Sequence, residues 1–416
     1  MALASYKHTV VDRFIRYAKI DTQSDPHSMT IPSTEKQKNL GRVLVDELHE
    51  IGVSDAEMDE WGYVYATIPS NTSKNVPTIC FCSHMDTSPD CSGEGVEPII
   101  HKNFDGKAFS LPKDESVIMD PERYVGLQSQ VGNDLITASG DTLLGADNKA
   151  GVAEIMDLAT YLMSHPEVKH GAIRILFTPD EEIGRGADKV DIDKLNAQFG
   201  YTVDGEKLGT IEDETFSADG VSIEIEGVSI HPGFAKGKLE NAAKAMADVL
   251  ALLPKKGLSP ETTSGREGFI HPLEISGTAE KAKSTFIIRS FVDEELKILE
   301  EQLEGIVKQA MKNYPNSTYN FKVSEQYRNM KQVIDQNPEI VSYAEEAIKR
   351  TGLEVTKRSI RGGTDGSRLS FMGLPCPNIY AGEHDFHSKV EWTSVQDMQS
   401  AVQTLVHLVE IWEEKS

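Results

Sequence analysis

Cysteine is scarce: Cys80, Cys82, Cys91 and Cys376 are the four in 416 residues, and no two have CxxC spacing. That excludes a disulfide-built scaffold and a thiolate zinc finger, and it points to a reducing, cytoplasmic setting. Long apolar runs are missing too, since nothing approaches the roughly 18 consecutive residues of a membrane span. Positive charge is in short supply, with 42 Lys and Arg against 66 Asp and Glu and a net charge of −24. Such a surface repels phosphate backbones and anionic lipid, so neither nucleic acid nor a membrane is an expected partner. No Gly-x-Ser-x-Gly elbow and no His-Glu-x-x-His helix occurs, and the Gly362-Gly363 segment lacks a Gly-Lys-Ser/Thr ending. Serine hydrolases of the elbow type, single-zinc proteases of that motif and P-loop NTPases are thereby excluded.

What is present is an α/β rhythm. At 416 residues the chain exceeds a typical domain, and 39% hydrophobic with 26% charged residues is ordinary globular usage. The opening stretch places Val10, Val11, Phe14, Ile15 and Ala18 at helical spacing with no leader-like apolar core, and predicts an amphipathic helix. TICFC (78–82), AIRILFT (172–178), YTV (201–203) and CPNIYA (376–381) are short apolar runs bounded by polar or turn-forming residues. With helical patterns between them, they predict a mostly parallel sheet flanked by helices. Residues 93–140, rich in Gly, Pro and Asp, predict a folded excursion, since bare loops of that length are uncommon. From 214 to 325 the character changes: VSIEIEG (221–227) alternates, 241–253 is helical, STFIIRSFV (284–292) reads as a strand and 294–314 as a long amphipathic helix. This βαβ-type stretch is expected to be a smaller α+β domain inserted into the first, dividing the chain at 1–213, 214–325 and 326–416.

Acids and imidazoles follow the expected strands. His84 and Asp86 come after the first run, Asp180, Glu181 and Glu182 after the second, Asp204 after the third, and His384 and His387 after the fourth; Asp147 precedes a helical run. Parallel sheets bind ligands beyond the carboxyl ends of their strands, so these side chains should converge. Converging carboxylates repel unless a cation compensates them. Two histidines with three carboxylates suit zinc, or manganese or cobalt, and the number of ligands suggests two ions about 3.5–4 Å apart sharing Asp147. Asp86, two residues from His84, is placed to accept the second imidazole N–H. Adjacent Glu181 and Glu182 point opposite ways on an extended backbone, so one can bind metal while the other acts as general base. Asp180 and His384 are expected to be loop structure, and Cys80 and Cys82 buried strand residues.

SHMDT (83–87), TLLGADNKAG (142–151), TPDEEIG (178–184), TVDGE (202–206), HPGFAKGK (231–238), IRGGTDGSRLSFMGLPCPN (360–378) and DFHSK (385–389) together resemble the dinuclear zinc exopeptidases, the family that includes aminoacylases and carboxypeptidases. The resemblance spans nearly the whole chain and implies an aminopeptidase releasing the N-terminal residue of tripeptides. It implies His84, Asp147, Glu182, Asp204 and His387 as ligands of two Zn²⁺, Asp86 orienting His84, and Glu181 as general base. It further implies a homodimer through the inserted domain, with His231 reaching the other subunit's site, and Arg289 and Arg361 holding the peptide carboxylate. HSKVEW at 387–392 stands where the family usually has His-Gly-Lys-His-Glu-Phe, and Arg289-Ser290-Phe291 where it has Arg-Asp-Phe, which bears on substrate preference. Two other readings compete: a deacylase of N-acyl amino acids with the same metal site, and a catalytically silent binding protein, against which the retained Glu181-Glu182 pair argues.

Overall fold

Strand Ile79–His84 is buried at every position, as a run without polar alternation requires when both faces of its sheet are covered. The structure is a computed structural model that describes residues 6–416; the first five residues of the opening stretch lie outside the described residues. Ile173–Thr178 and Phe199–Gly205 run parallel on either side of Ile79–His84, and Asn378–Tyr380 runs parallel to Phe199–Gly205. These four are the centre of an eight-stranded sheet. Val64–Ile68 and Glu57–Met58 extend one margin and Thr210–Thr215 and Thr356–Ile360 the other. The pairings of Glu57–Met58, Val64–Ile68 and Thr210–Thr215 with their inner neighbours are antiparallel. The mostly parallel centre and its helices are the α/β class read from the sequence.

Helix Ala146–Ser164 is buried on nearly all sides because it packs on Ile79–His84 and Phe199–Gly205 and also on helices Val10–Ala18 and Val395–Glu414. Its approach is set by Gly151, where a Cβ would stand 2.0 Å from the Val203 carbonyl oxygen and 2.6 Å from Ser83 Oγ. A side chain there would lift the helix off the two strands that carry His84 and Asp204 at their C-terminal ends. Phe14, Phe81, Tyr201 and Val203 belong to the same buried cluster, and each such side chain contributes roughly 1.5–3 kcal/mol on burial. The 93–140 excursion is folded. Ile99–His101 and Leu135–Thr137 join Trp392–Ser394 and Glu383–His384 in a second sheet, while Phe109–Leu111 and Asp114–Met119 form a hairpin. The excursion thus pairs with Trp392–Ser394, the strand that follows the segment carrying His387. No helix among the described residues is long and apolar enough to cross a membrane.

The chain divides into two compact units, one of Met1–Asp213, Met330–Arg358 and Thr364–Ser416, the other of Glu214–Asn329 and Ser359–Gly363. The second unit holds a four-stranded sheet in the order Phe269–Gly277, Lys281–Ser290, Ser217–Glu226, Thr318–Tyr327. Every pairing is antiparallel, where the sequence pattern suggested βαβ. Helices Ala242–Ala251 and Asp293–Met311 cover it, packing Met246, Leu299, Leu303 and Val307 against Ile223, Ile225 and Ile288.

Candidate metal centre

Three of the four central strands lead straight into acids or histidines. His84 is the last residue of Ile79–His84, Asp204 lies in the last turnward residues of Phe199–Gly205, and Glu181 and Glu182 open a 3₁₀ turn just beyond Ile173–Thr178. Asp147 sits at the start of Ala146–Ser164 with non-helical angles, φ −78° and ψ 102°. The two oxygens of Asp147 face two imidazoles: His84 Nε2 is 2.9 Å from Oδ1 and His387 Nε2 is 3.1 Å from Oδ2. Asp204 Oδ1 lies 3.5 Å from His84 Nε2, and Glu182 Oε2 lies 2.8 Å from His387 Nε2. Two ligand groups result, His84 with Asp147 and Asp204, and Asp147 with Glu182 and His387, each with its ligand atoms within 4.8 Å of one another. Asp147 belongs to both.

Charge balance tests whether cations fit. Glu182 Oε1 and Asp204 Oδ1 are buried without a hydrogen-bond partner. Burial pushes the carboxyls of Glu182 and Asp204 up, and the charge of Asp147 adds to it. Burial opposes the charged form of His387, yet hydrogen bonds to Asp147 and Glu182 raise it to about 11. Burial likewise disfavours the Asp147 anion, but hydrogen bonds from His387 and His84 hold its carboxyl below the usual range. The raised carboxyls of Glu182 and Asp204 and the raised imidazole of His387 report a site rich in lone pairs and short of positive charge, which is the condition two divalent ions relieve. The residues fit the group.

Glu181 belongs to neither ligand group; its Oε2 is 4.0 Å from His84 Nε2. Burial raises its carboxyl well above the usual range, with Asp365, Asp204 and Glu182 adding and His84 opposing. Asp86 does more than the sequence indicated. His84 Nδ1 is nearer the Asp86 backbone oxygen, at 3.1 Å, than its carboxylate, at 3.4 Å. The carboxylate accepts the backbone N–H groups of Glu181 at 3.0 Å and Glu182 at 3.2 Å, so it ties the acid pair to the histidine strand. Asp180 is structural, accepting from Ser33 and Gln37 with φ +59°. His384 stacks on Trp392 with ring centroids 4.0 Å apart.

Three named residues belong to the second unit. His231 is exposed and caps the turn Pro232–Phe234, its Nδ1 accepting the Gly233 N–H at 3.1 Å. Arg361 donates to Gly265 O, Glu267 O and Thr263 Oγ1 at 2.7, 3.0 and 2.9 Å, which occupies three of its five donors. Arg289 is freer: it donates to Arg361 O at 3.2 Å, and its buried Nε has no partner. Sequence reasoning missed Asp365, buried and accepting from Thr178 Oγ1 at 2.6 Å. It also missed Glu391, whose carboxylate accepts the backbone N–H groups of Leu144 and Asp147.

A sheet whose parallel strands end in histidines and carboxylates shared around one aspartate defines a hydrolase of the two-metal class. Residues 143–411 match the sequence profile of Peptidase family M20/M25/M40. The chain is 45% identical over 410 residues to a Peptidase T of Geobacillus thermodenitrificans, covering 99% of this chain and 100% of that one. It is 47% identical over 407 residues to the Peptidase T of Bacillus subtilis strain 168, covering 98% and 99%. The chain belongs to the M20/M25/M40 peptidase family. Its fold resembles a crystal structure of an aminopeptidase from Bacillus cereus ATCC 10987, with a TM-score of 0.73, 22% identity and 97% and 98% coverage. A dinuclear metal-binding M20 peptidase from Bacillus subtilis is similar in fold at a TM-score of 0.65, 15% identity and 98% coverage of both chains.

Proposed function

We propose that this peptidase is a metal-dependent aminopeptidase that releases the N-terminal residue of tripeptides. The observation that carries it is Asp147, with an imidazole on each oxygen at 2.9 and 3.1 Å and a further carboxylate beside each imidazole. His84, Asp147 and Asp204 would hold one ion, and Asp147, Glu182 and His387 a second, zinc being favoured by the donor set. Elemental analysis of the purified protein checks the metal. When bound, the pair supplies Lewis acidity that polarises the scissile carbonyl and lowers the pKa of water. Glu181, held outside both ligand groups and made a good proton acceptor by burial, takes the proton of the attacking water and passes it to the leaving amine. Asp86 fixes the backbone of Glu181 and Glu182 so that acceptor and ligand keep their spacing.

Arg289, with unspent donors, is the better carboxylate anchor, and Arg361 supports it through the 263–267 loop. The exposed His231 would serve the active site of a second copy, stabilising the oxyanion there. A homodimer through the second unit fits the edge strand Phe269–Gly277, where Leu273 and Ile275 are 58% and 53% exposed. Four free cysteines accord with a cytoplasmic setting, which cell fractionation checks. Chromatography of products from a free tripeptide, its N-acetyl form and the matching dipeptide and tetrapeptide, with zinc and with chelator, tests the activity. N-terminal release from the free tripeptide alone, abolished by chelator, is expected; cleavage of only the acetylated form would make the chain a deacylase.

A further inference from the structure

We propose that Glu391 is a positioning residue that sets the angle at which Asp147 is presented, a role that rests on the two-ion reading of the site. Glu391 is 1% exposed. Its Oε2 accepts the backbone N–H of Leu144 at 2.7 Å and of Gly145 at 2.8 Å, and its Oε1 accepts that of Asp147 at 3.0 Å. These donors lie where the helix cannot fix the chain by itself. Gly145 is left-handed at φ +78°, and Asp147 and Asn148 depart from helical angles, so the N–H groups at this helix start lack partners within the helix. A carboxylate at a helix N-terminus is also favoured by the helix dipole.

Geometry makes the clamp specific. Gly151 presses the first turns of the helix onto the strands, and Glu391 fixes the three residues' worth of irregular backbone that precede them. Glu391 follows His387 by four residues, and His387 Nε2 meets Asp147 Oδ2 at 3.1 Å. One segment therefore delivers a ligand to the Asp147 side chain and a clamp to the Asp147 main chain, which couples their positions. An amide in place of the carboxylate could keep one oxygen for Leu144 and Gly145, but it would set its NH₂ against the Asp147 N–H, two donors facing each other.

The test is cobalt binding to metal-free wild type and Glu391→Gln, read by calorimetric titration and by the visible d–d spectrum, with thermal unfolding of the metal-free proteins as the control for folding. Wild type should take up two Co²⁺. Glu391→Gln should bind at least one ion about 10–100-fold more weakly and with an altered spectrum, as loss of a residue that orients a ligand does. A role confined to folding would lower the unfolding temperature and leave affinities and spectrum alone, and two ions bound at wild-type affinity with an unchanged spectrum would overturn the proposal. If Glu391→Gln does not fold, Glu391→Asp, which keeps the charge and shortens the reach, carries the same two outcomes. Fewer than two ions on the wild-type protein would instead overturn the two-ion reading, and this role with it.

Discussion

Replacing Glu181 with Gln exchanges one carboxylate oxygen for an amide nitrogen at nearly constant shape. The backbone has little reason to move, because the N–H groups of Glu181 and Glu182 are held by Asp86 at 3.0 and 3.2 Å and neighbouring Asp180 is held by Ser33 and Gln37. Neither ligand group includes Glu181, so both ions should stay. What disappears is proton affinity: the Glu181 carboxyl is raised by burial, with the nearby charges of Asp365, Asp204 and Glu182 adding to the effect, whereas an amide takes no proton near neutrality. General acid–base catalysis is worth about 10²- to 10⁴-fold, or about 3–5 kcal/mol of barrier. Measured together, kcat on a free tripeptide should fall by that factor while zinc content matches wild type. A kcat within tenfold of wild type at full zinc content would remove Glu181 from the proton path, and lost zinc would make it a ligand.

Arg289→Ala should raise KM for a free tripeptide by about 10- to 100-fold, the worth of a charge-assisted hydrogen bond, and should leave a C-terminally amidated tripeptide almost unaffected; equal losses on both substrates would argue against a carboxylate anchor. Ile275→Lys, which places charge on the exposed edge of Phe269–Gly277, should shift sedimentation from dimer to monomer, and a monomeric wild type would contradict the proposed assembly.

The parallel centre was legible because its strands are short unbroken apolar runs followed by acids or histidines, a pattern that places chemistry at strand ends whatever the intervening sequence. The second unit was only half legible. Phe269–Gly277 contains Pro272 and is mostly exposed, and Thr318–Tyr327 is largely polar, so neither carries the hydrophobic signal of a buried strand. Three of the four strands of the 93–140 excursion are three residues long, too short for any periodicity. Glu391 and Asp365 escaped for a different reason. Glu391 acts on backbone N–H groups that no sequence pattern marks, and Asp365 sits in a Gly-rich segment whose most familiar reading, phosphate binding, its sequence excludes. Arg361 shows the reverse limit, since its type fits a carboxylate anchor but the structure commits three of its donors to the 263–267 loop.

The central claim is that Asp147 lies between two ions. Anomalous diffraction from crystals grown with zinc tests it directly. Two peaks about 3.5–4 Å apart are expected, one beside His84 and Asp204 and the other beside Glu182 and His387, with Asp147 between them. A single peak, or two peaks that leave Asp147 outside, would contradict it.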